Sequence, residues 1–448
     1  MELLRKKKLL RLCLFCVLCP LIFENPRIVH AKGEEDFWIG KLMIKSGGKF
    51  LAAAPGDDAD NPGLGQDGRA EKVELQGLYS YASCLIDADN DRVLFERHGS
   101  EPLPMASTTK IMTLIVILEH ASMDEIVTVS KNAAAQPDVQ LNIRSGEQYR
   151  LGDLVYSLML ESHNDVAVAL AEHVGGSVEG FCALMNAKAA ALGLSDTCFE
   201  TPNGLDAENH HTTAIELSKI ASYAIRNPEF IKITNTTSYQ FNELTTNRSF
   251  SVTNKNRFLY MMDGAIGIKT GFTGKAGYCF VGALKRGEHT LIATMLACGW
   301  PPNKNYKWSD TKKLMEYGLE HFRRVPFKER AVLLVNGKET ASGEFDIEKE
   351  RITIPVTGGT ADFVTAQPEG EIPAPLLLAD WEQPSIEVSY LEQLDAPVAK
   401  GEVVGSVTYY IDSVEYASCF IRTVEEVPEM DFWYCLRYVI TKWNSGVQ

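Results

Sequence analysis

Residues 111–118 are apolar all round, and this run constrains the fold more than any other feature of the sequence. A helix with no polar face has to be wrapped by other elements, so the run marks the middle of a domain. The patterns on either side say what wraps it. Tyr81-Ala-Ser-Cys-Leu-Ile-Asp87, the turn signal Asp89-Asn90-Asp91 and Val93-Leu-Phe-Glu96 predict a strand pair. Residues 151–226 are helical in period, interrupted at Ser162-His163-Asn164 and stopped once at Gly175-Gly176. From Gly264 the period returns to two, through 267–271, 277–284 and 290–298, with a turn at Lys285-Arg-Gly-Glu288, and a helix over 308–322 closes the region. Strands at both ends and helices between them predict an α+β domain in which an antiparallel sheet carries a helical block.

That domain does not use the whole chain. At 448 residues two domains are the natural expectation. Residues 1–31 read as an export signal: Arg5-Lys6-Lys7-Lys8 and Arg11 precede an apolar run over 12–23, and Val29-His30-Ala31 offers a cleavage site. The run is too short to span a bilayer. Residues 32–75 contain the Gly, Pro and Asp-rich stretch 55–68 and read as a flexible segment. The predicted α+β domain occupies 76–325. Over 326–425, short β-rich segments at 331–335, 351–356, 385–390, 403–411 and 417–424 predict a small all-β domain. The tail, 426–448, gathers Phe432, Trp433, Tyr434, Tyr438 and Trp443. As an amphipathic helix of roughly 22 Å it is too short to cross a bilayer but suited to lie in its interface, the alternative being a terminal helix packed on the β domain.

Without residues 1–31 the chain keeps 38 basic and 57 acidic side chains, a formal charge of −19, which repels nucleic acid and anionic lipid. Cys84, Cys182, Cys198, Cys279, Cys298, Cys419 and Cys435 are odd in number and widely spaced, so neither a disulfide framework nor a cysteine zinc site is expected. HExxH and GxSxG are missing from the sequence, and its glycine-rich stretch 55–68 reads as spacer, not as a phosphate loop. No metal and no cofactor are expected.

Three short words carry chemistry: Ser107-Thr108-Thr109-Lys110, Ser162-His163-Asn164 and Lys269-Thr270-Gly271. Singly they are weak, because SxxK recurs at Ser46/Lys49 and Ser309/Lys312, SxN at Ser130/Asn132, and Lys45-Ser46-Gly47 imitates the third. Context separates them. Ser107 alone enters the apolar helix, with Lys110 one turn on along the same face, where an amine can take the proton that makes a serine nucleophilic. Ser162 and Asn164 fall at a helix break, where a hydroxyl can relay a proton and an amide can hold a carbonyl; equally, either can cap the helix that follows. Lys269 and Thr270 lie on a strand beside which an extended peptide can align, offering its terminal carboxylate to the lysine, while Gly271 leaves room for close approach.

Together with Pro104-Met-Ala-Ser-Thr-Thr-Lys-Ile-Met-Thr113, Thr201-Pro-Asn-Gly-Leu-Asp206 and Gly267-Ile-Lys-Thr-Gly-Phe-Thr273, these words resemble the low-molecular-mass penicillin-binding proteins, more narrowly the serine D-alanyl-D-alanine carboxypeptidases. The resemblance implies a β-lactamase/transpeptidase-like domain and removal of the terminal D-alanine from peptidoglycan stem peptides, with β-lactams as covalent inhibitors. It implies Ser107 as acylated nucleophile, Lys110 as its base, Ser162 as proton carrier, and Asn164, Lys269, Thr270 and Gly271 as substrate contacts. The backbone N–H groups of Ser107 and Phe272 would form an oxyanion hole. His163 stands where many relatives carry glycine; it could tune the cleft electrostatically, but it reads first as a solvent-facing filler. The expected location is the outer face of the cell membrane, reached through the tail. A β-lactamase, a slowly deacylating sensor of β-lactams or peptidoglycan, and an endopeptidase use the same words.

Overall fold

The computed structural model describes residues 71–340, 351–370 and 373–445. The expected export signal and nearly all of 32–75 lie outside the described residues. The chain divides into two compact units, one of residues 72–329 with 374–382, the other including 330–373 and 383–448.

The first unit is built on an antiparallel five-stranded sheet. Its strands are β1 (Ala82–Asp87), β2 (Arg92–Arg97), β3 (Ala265–Thr273), β4 (Gly277–Arg286) and β5 (His289–Leu296), in the order β2-β1-β5-β4-β3. All six residues of β1 are buried, because the sheet is covered on both faces. Ala82, Cys84 and Ile86 belong to one apolar cluster, and Leu85 faces the other way into a second with Leu314 and Met315. This is the two-residue alternation of a strand read out as two cores.

The apolar run forms α1 (Lys110–His120), of which every residue from Lys110 to Ile117 is buried. Around it lie α2 (Leu151–Leu160), α3 (Asn164–Gly175), α4 (Val178–Ala191), α5 (Ala214–Ile225) and α6 (Pro228–Asn235), while α7 (Tyr306–His321) packs on the opposite face of the sheet. Ser177 and Thr213 cap α4 and α5 by accepting from Gly180 N and Glu216 N at 3.0 and 3.1 Å. Helix α6 is one the periodicity did not predict. Asn227 accepts from Glu229 N at 2.9 Å and Pro228 takes the first helical position, where its missing N–H costs nothing. A hairpin of Ser238–Asn242 with Ser249–Thr253 follows, also unforeseen.

The second unit is an eight-stranded sheet in the order Lys338–Thr340, Val332–Val335, Pro384–Tyr390, Val403–Ile411, Val414–Thr423, Phe363–Glu369, Ile352–Thr357, Leu394–Asp395. The all-β expectation holds, with more strands than the sequence suggested. Leu376–Ala379, amid the β-rich stretch, instead pairs antiparallel with Phe322–Val325 inside the first unit. There Arg324 Nη2 reaches Asp87 Oδ1 at 3.0 Å, and Arg92 bonds Leu377 O and the Glu382 carboxylate. Four consecutive buried apolar residues carry no period by which to assign them. The tail forms a helix, Phe432–Ser445, and among the described residues no helix is long and apolar enough to cross a membrane.

Candidate active site

Ser107 lies in a 3-10 turn, Ala106–Thr109, that runs directly into α1. The turn is stitched from within and from the loop 200–213. Thr108 Oγ1 donates to Met105 O at 2.6 Å, Thr109 Oγ1 to Ala106 O at 2.8 Å, and Thr113 Oγ1 to Pro202 O at 2.6 Å. His210 is buried and its Nε2 lies 2.8 Å from Thr109 Oγ1, while Nδ1 accepts from Glu200 N. Burial pushes this imidazole down to about 4, so it is neutral, with its proton on Nε2.

Two glycines press on the same turn. A Cβ on Gly271 would sit 3.0 Å from Ser107 N, and one on Gly204 (φ +83°) 2.1 Å from Ala106 O. Gly271 therefore lets the third word of the sequence touch the first, and Gly204 meets both the steric and the backbone requirement for glycine.

Lys110 is fully buried, with Nζ 3.0 Å from Ser107 Oγ, 3.0 Å from Asn164 Oδ1 and in contact with Asn203 O. Burial, and then the charge of Lys269, hold its ammonium well below the usual lysine range, against the pull of Asp165. When neutral, the amine can give two N–H groups to Asn164 Oδ1 and Asn203 O and keep its lone pair for the Ser107 hydroxyl proton. Ser107 Oγ is also 3.3 Å from Asn203 O. Lys269 is buried too; it donates to Thr270 O at 2.9 Å and is pushed down to about 7 by desolvation. Thr270 is half-buried, and Phe272 is exposed beside Tyr278, its cross-strand partner, with ring centroids 4.7 Å apart.

The second word joins α2 to α3. Ser162 has φ +72°, and its Oγ is shielded without a hydrogen-bond partner. Neither Ser162 nor Asn164 caps α3; the cap position is His163, which makes no side-chain cap bond. Asn164 spends its amide inside the protein, with Oδ1 on Lys110 and Nδ2 donating to Pro137 O at 3.2 Å and Asp138 O at 3.0 Å. Its evident task is to hold Lys110, and a contact to substrate requires exchanging one of the Nδ2 bonds. The reading of His163 as a solvent-facing filler is corrected: the ring is 4% exposed and bonds Ser157 Oγ at 2.7 Å. The spacing gave no sign of this, because a helix break says nothing about which side chain folds back.

The structure thus brings Ser107, Lys110, Asn164 and Gly271 into direct contact. Two of the decoys serve elsewhere: Ser130 caps a short helix by accepting from Ala133 N at 2.9 Å, and Lys312 pairs with Glu316 on the surface; Lys45, Ser46 and Lys49 lie outside the described residues. Sequence reasoning missed Asn203, whose carbonyl meets both reactive side chains, and Asp165, which accepts from Leu141 N and Ile143 N at 3.0 and 3.2 Å. The word Thr201-Pro-Asn-Gly-Leu-Asp206 was the available signal for Asn203; a main-chain role leaves no mark on residue type.

A serine next to a buried lysine whose pKa burial holds down, at the entrance of a central helix packed on an edge strand, defines a serine-type peptidase of the acyl-enzyme class. Residues 70–298 match the family model described as D-alanyl-D-alanine carboxypeptidase, and residues 348–429 match that of the C-terminal domain of penicillin-binding protein 5. A D-alanyl-D-alanine carboxypeptidase of Escherichia coli K12 is 30% identical over 380 residues, covering 81% of this chain and 88% of that protein. One of Bacillus subtilis is 26% identical over 369 residues, covering 81% and 90%. The structure of penicillin-binding protein 5 from Haemophilus influenzae superposes with a TM-score of 0.62 at 26% identity, over 80% of this chain and 100% of that one. The chain belongs to the D-alanyl-D-alanine carboxypeptidase family, the low-molecular-mass penicillin-binding proteins.

Proposed function

We propose that this protein removes the terminal D-alanine from peptidoglycan stem peptides through an ester on Ser107. The observation that carries the reading is Lys110 Nζ 3.0 Å from Ser107 Oγ with its remaining hydrogen bonds committed to Asn164 and Asn203. Lys110 takes the Ser107 proton as Oγ attacks the penultimate carbonyl. The backbone N–H groups of Ser107 and Phe272 receive the oxyanion, worth roughly 3 kcal/mol for a donor of this kind. Ser162, whose hydroxyl has no other partner, passes the proton to the departing amine. Lys269 and Thr270 hold the terminal carboxylate of a peptide laid along β3. Water then releases the shortened peptide with Lys110 again as base. A β-lactam presents a similar carbonyl and carboxylate, and its ring-opened acyl group stays attached to Ser107.

The same reading places the protein outside the cytoplasm, exported by residues 1–31 and held at the outer membrane face by the tail. Phe432, Leu436, Val439 and Trp443 follow one another at helical spacing with Trp433 and Ile440 beside them, and Phe432, Trp433, Ile440 and Trp443 are exposed.

The test is mass spectrometry of the protein with a pentapeptide ending in D-alanyl-D-alanine and, separately, with benzylpenicillin. The expected result is loss of one D-alanine and a lasting penicilloyl adduct on Ser107, both abolished by Ser107→Ala. Rapid loss of the adduct with the peptide untouched means a β-lactamase; a stable adduct with no D-alanine released means a sensor.

A further inference from the structure

The connection between α2 and α3 is held by a side chain that the reaction as described does not use. Ser162 occupies the left-handed region, which a non-glycine residue adopts only where its surroundings impose it. Its own hydroxyl makes no hydrogen bond, so the constraint comes from its neighbours. His163 is buried, with Nδ1 2.7 Å from Ser157 Oγ in α2 and Nε2 3.4 Å from Glu161 Oε2. Glu161 is anchored in turn, accepting from Thr253 N at 3.0 Å and pairing with Lys255 Nζ at 2.9 Å, while Lys255 N donates to Leu160 O at 3.1 Å. The imidazole therefore braces the residue after Ser162 against the helix before it, and the residue before Ser162 is tied to the chain that follows the 238–253 hairpin. A smaller side chain at 163 releases the brace and lets Ser162 relax toward ordinary dihedrals, which moves its hydroxyl from the position it now holds.

We propose that His163 is a positioning residue that fixes the Ser162 hydroxyl in the proton path between Lys110 and the leaving amine. The inference rests on the role given to Ser162 above, and the experiment separates the two. Acylation of the full chain by benzylpenicillin is timed for the unaltered protein, Ser162→Ala, His163→Leu, the double variant, and His163→Gln, with thermal melting recorded for each. His163→Leu should slow acylation by about 10- to 100-fold, the range expected when a reacting group is misplaced without being removed. His163→Gln, which keeps a partner for Ser157, should recover to within about threefold, and on the Ser162→Ala background His163→Leu should change the rate by less than about twofold. A rate unchanged in His163→Leu overturns the proposal. So does an equal loss with and without Ser162, which is what general destabilisation gives. Failure of His163→Gln to recover while melting normally overturns it as well. Ser162→Ala acylating at the parental rate would instead remove the role of Ser162, leaving His163 nothing to position.

Discussion

The two buried lysines set the chemistry of the site, and they titrate against each other. Each has its pKa lowered by burial, and the charge of Lys269 lowers Lys110 further. For kcat/KM with a carboxylate-bearing peptide this gives a bell. On the roles proposed above, the acid limb is deprotonation of Lys110 as base, and the alkaline limb, near 7 in the free enzyme, is loss of the Lys269 charge proposed to attract the carboxylate. A substrate without that carboxylate should lose the alkaline limb, and so should Lys269→Met, whose KM should rise more than its kcat falls. Asp165 raises the pKa of Lys110, so Asp165→Asn should move the acid limb to lower pH, read from the pH dependence of acylation. Gly271→Ala tests contact rather than charge. Its Cβ would press on Ser107 N from 3.0 Å, and a shift of the turn by a few tenths of an ångström should cost about tenfold or more in acylation, with little change in melting.

At the scale of elements, the site is where α1, the α2–α3 joint, the loop 200–213 and β3 meet. On the proposed roles, α1 with the turn entering it supplies the nucleophile and base, the joint supplies the amide that holds the base, the loop supplies the carbonyl of Asn203, and β3 supplies the glycine that lets the strand approach. The joint is also held by the 137–143 segment, tied to α3 by Asn164 N to Val139 O at 2.7 Å and by the Asp165 carboxylate. Asp165→Ala removes the acceptor for two buried N–H groups, Leu141 and Ile143, and should destabilise the protein by about 1–3 kcal/mol in a chemical denaturation experiment. Acylation should slow as well, because Asn164 Nδ2 loses the placement of its carbonyl partners.

For the molecule as a whole, burial of lysine makes stability depend on pH in a definite direction. Lys269 is about 7 when folded and near the ordinary 10.5 when unfolded, so between these values the unfolded chain binds the additional proton and stability rises with pH. The slope is about 1.4 kcal/mol per pH unit while one lysine titrates. Cys84 and Cys279, each pushed up to about 12 from 9.0 by burial, act in the opposite sense once pH exceeds 9.0. Denaturation midpoints should therefore climb from pH 7 to about 9, beyond which the thiols oppose the rise. Lys269→Met should flatten the climb, and an unchanged slope in that variant would show that Lys269 is not its source. Deleting residues 429–448 should free the protein from membranes, and unchanged co-sedimentation would rule out the tail as the anchor.

What the sequence determined by itself was whatever repeats at a fixed spacing. The all-round apolar run could only be a central helix, the alternation at 81–96 and 267–298 could only be half of a layered sheet, and Ser107 and Lys110 had to share a helix face. The tertiary structure decided what depends on distant backbone. Asn203 enters through its carbonyl, His163 folds inward because Ser157 in the last turn of α2 offers it a partner, and Leu376–Ala379 leaves the β domain because Phe322–Val325 offers a free edge. None of these leaves a period or a residue-type signature. A hydrogen bond to a main-chain oxygen, or the pairing of a short apolar strand, is fixed only when chain segments far apart in sequence have been packed together.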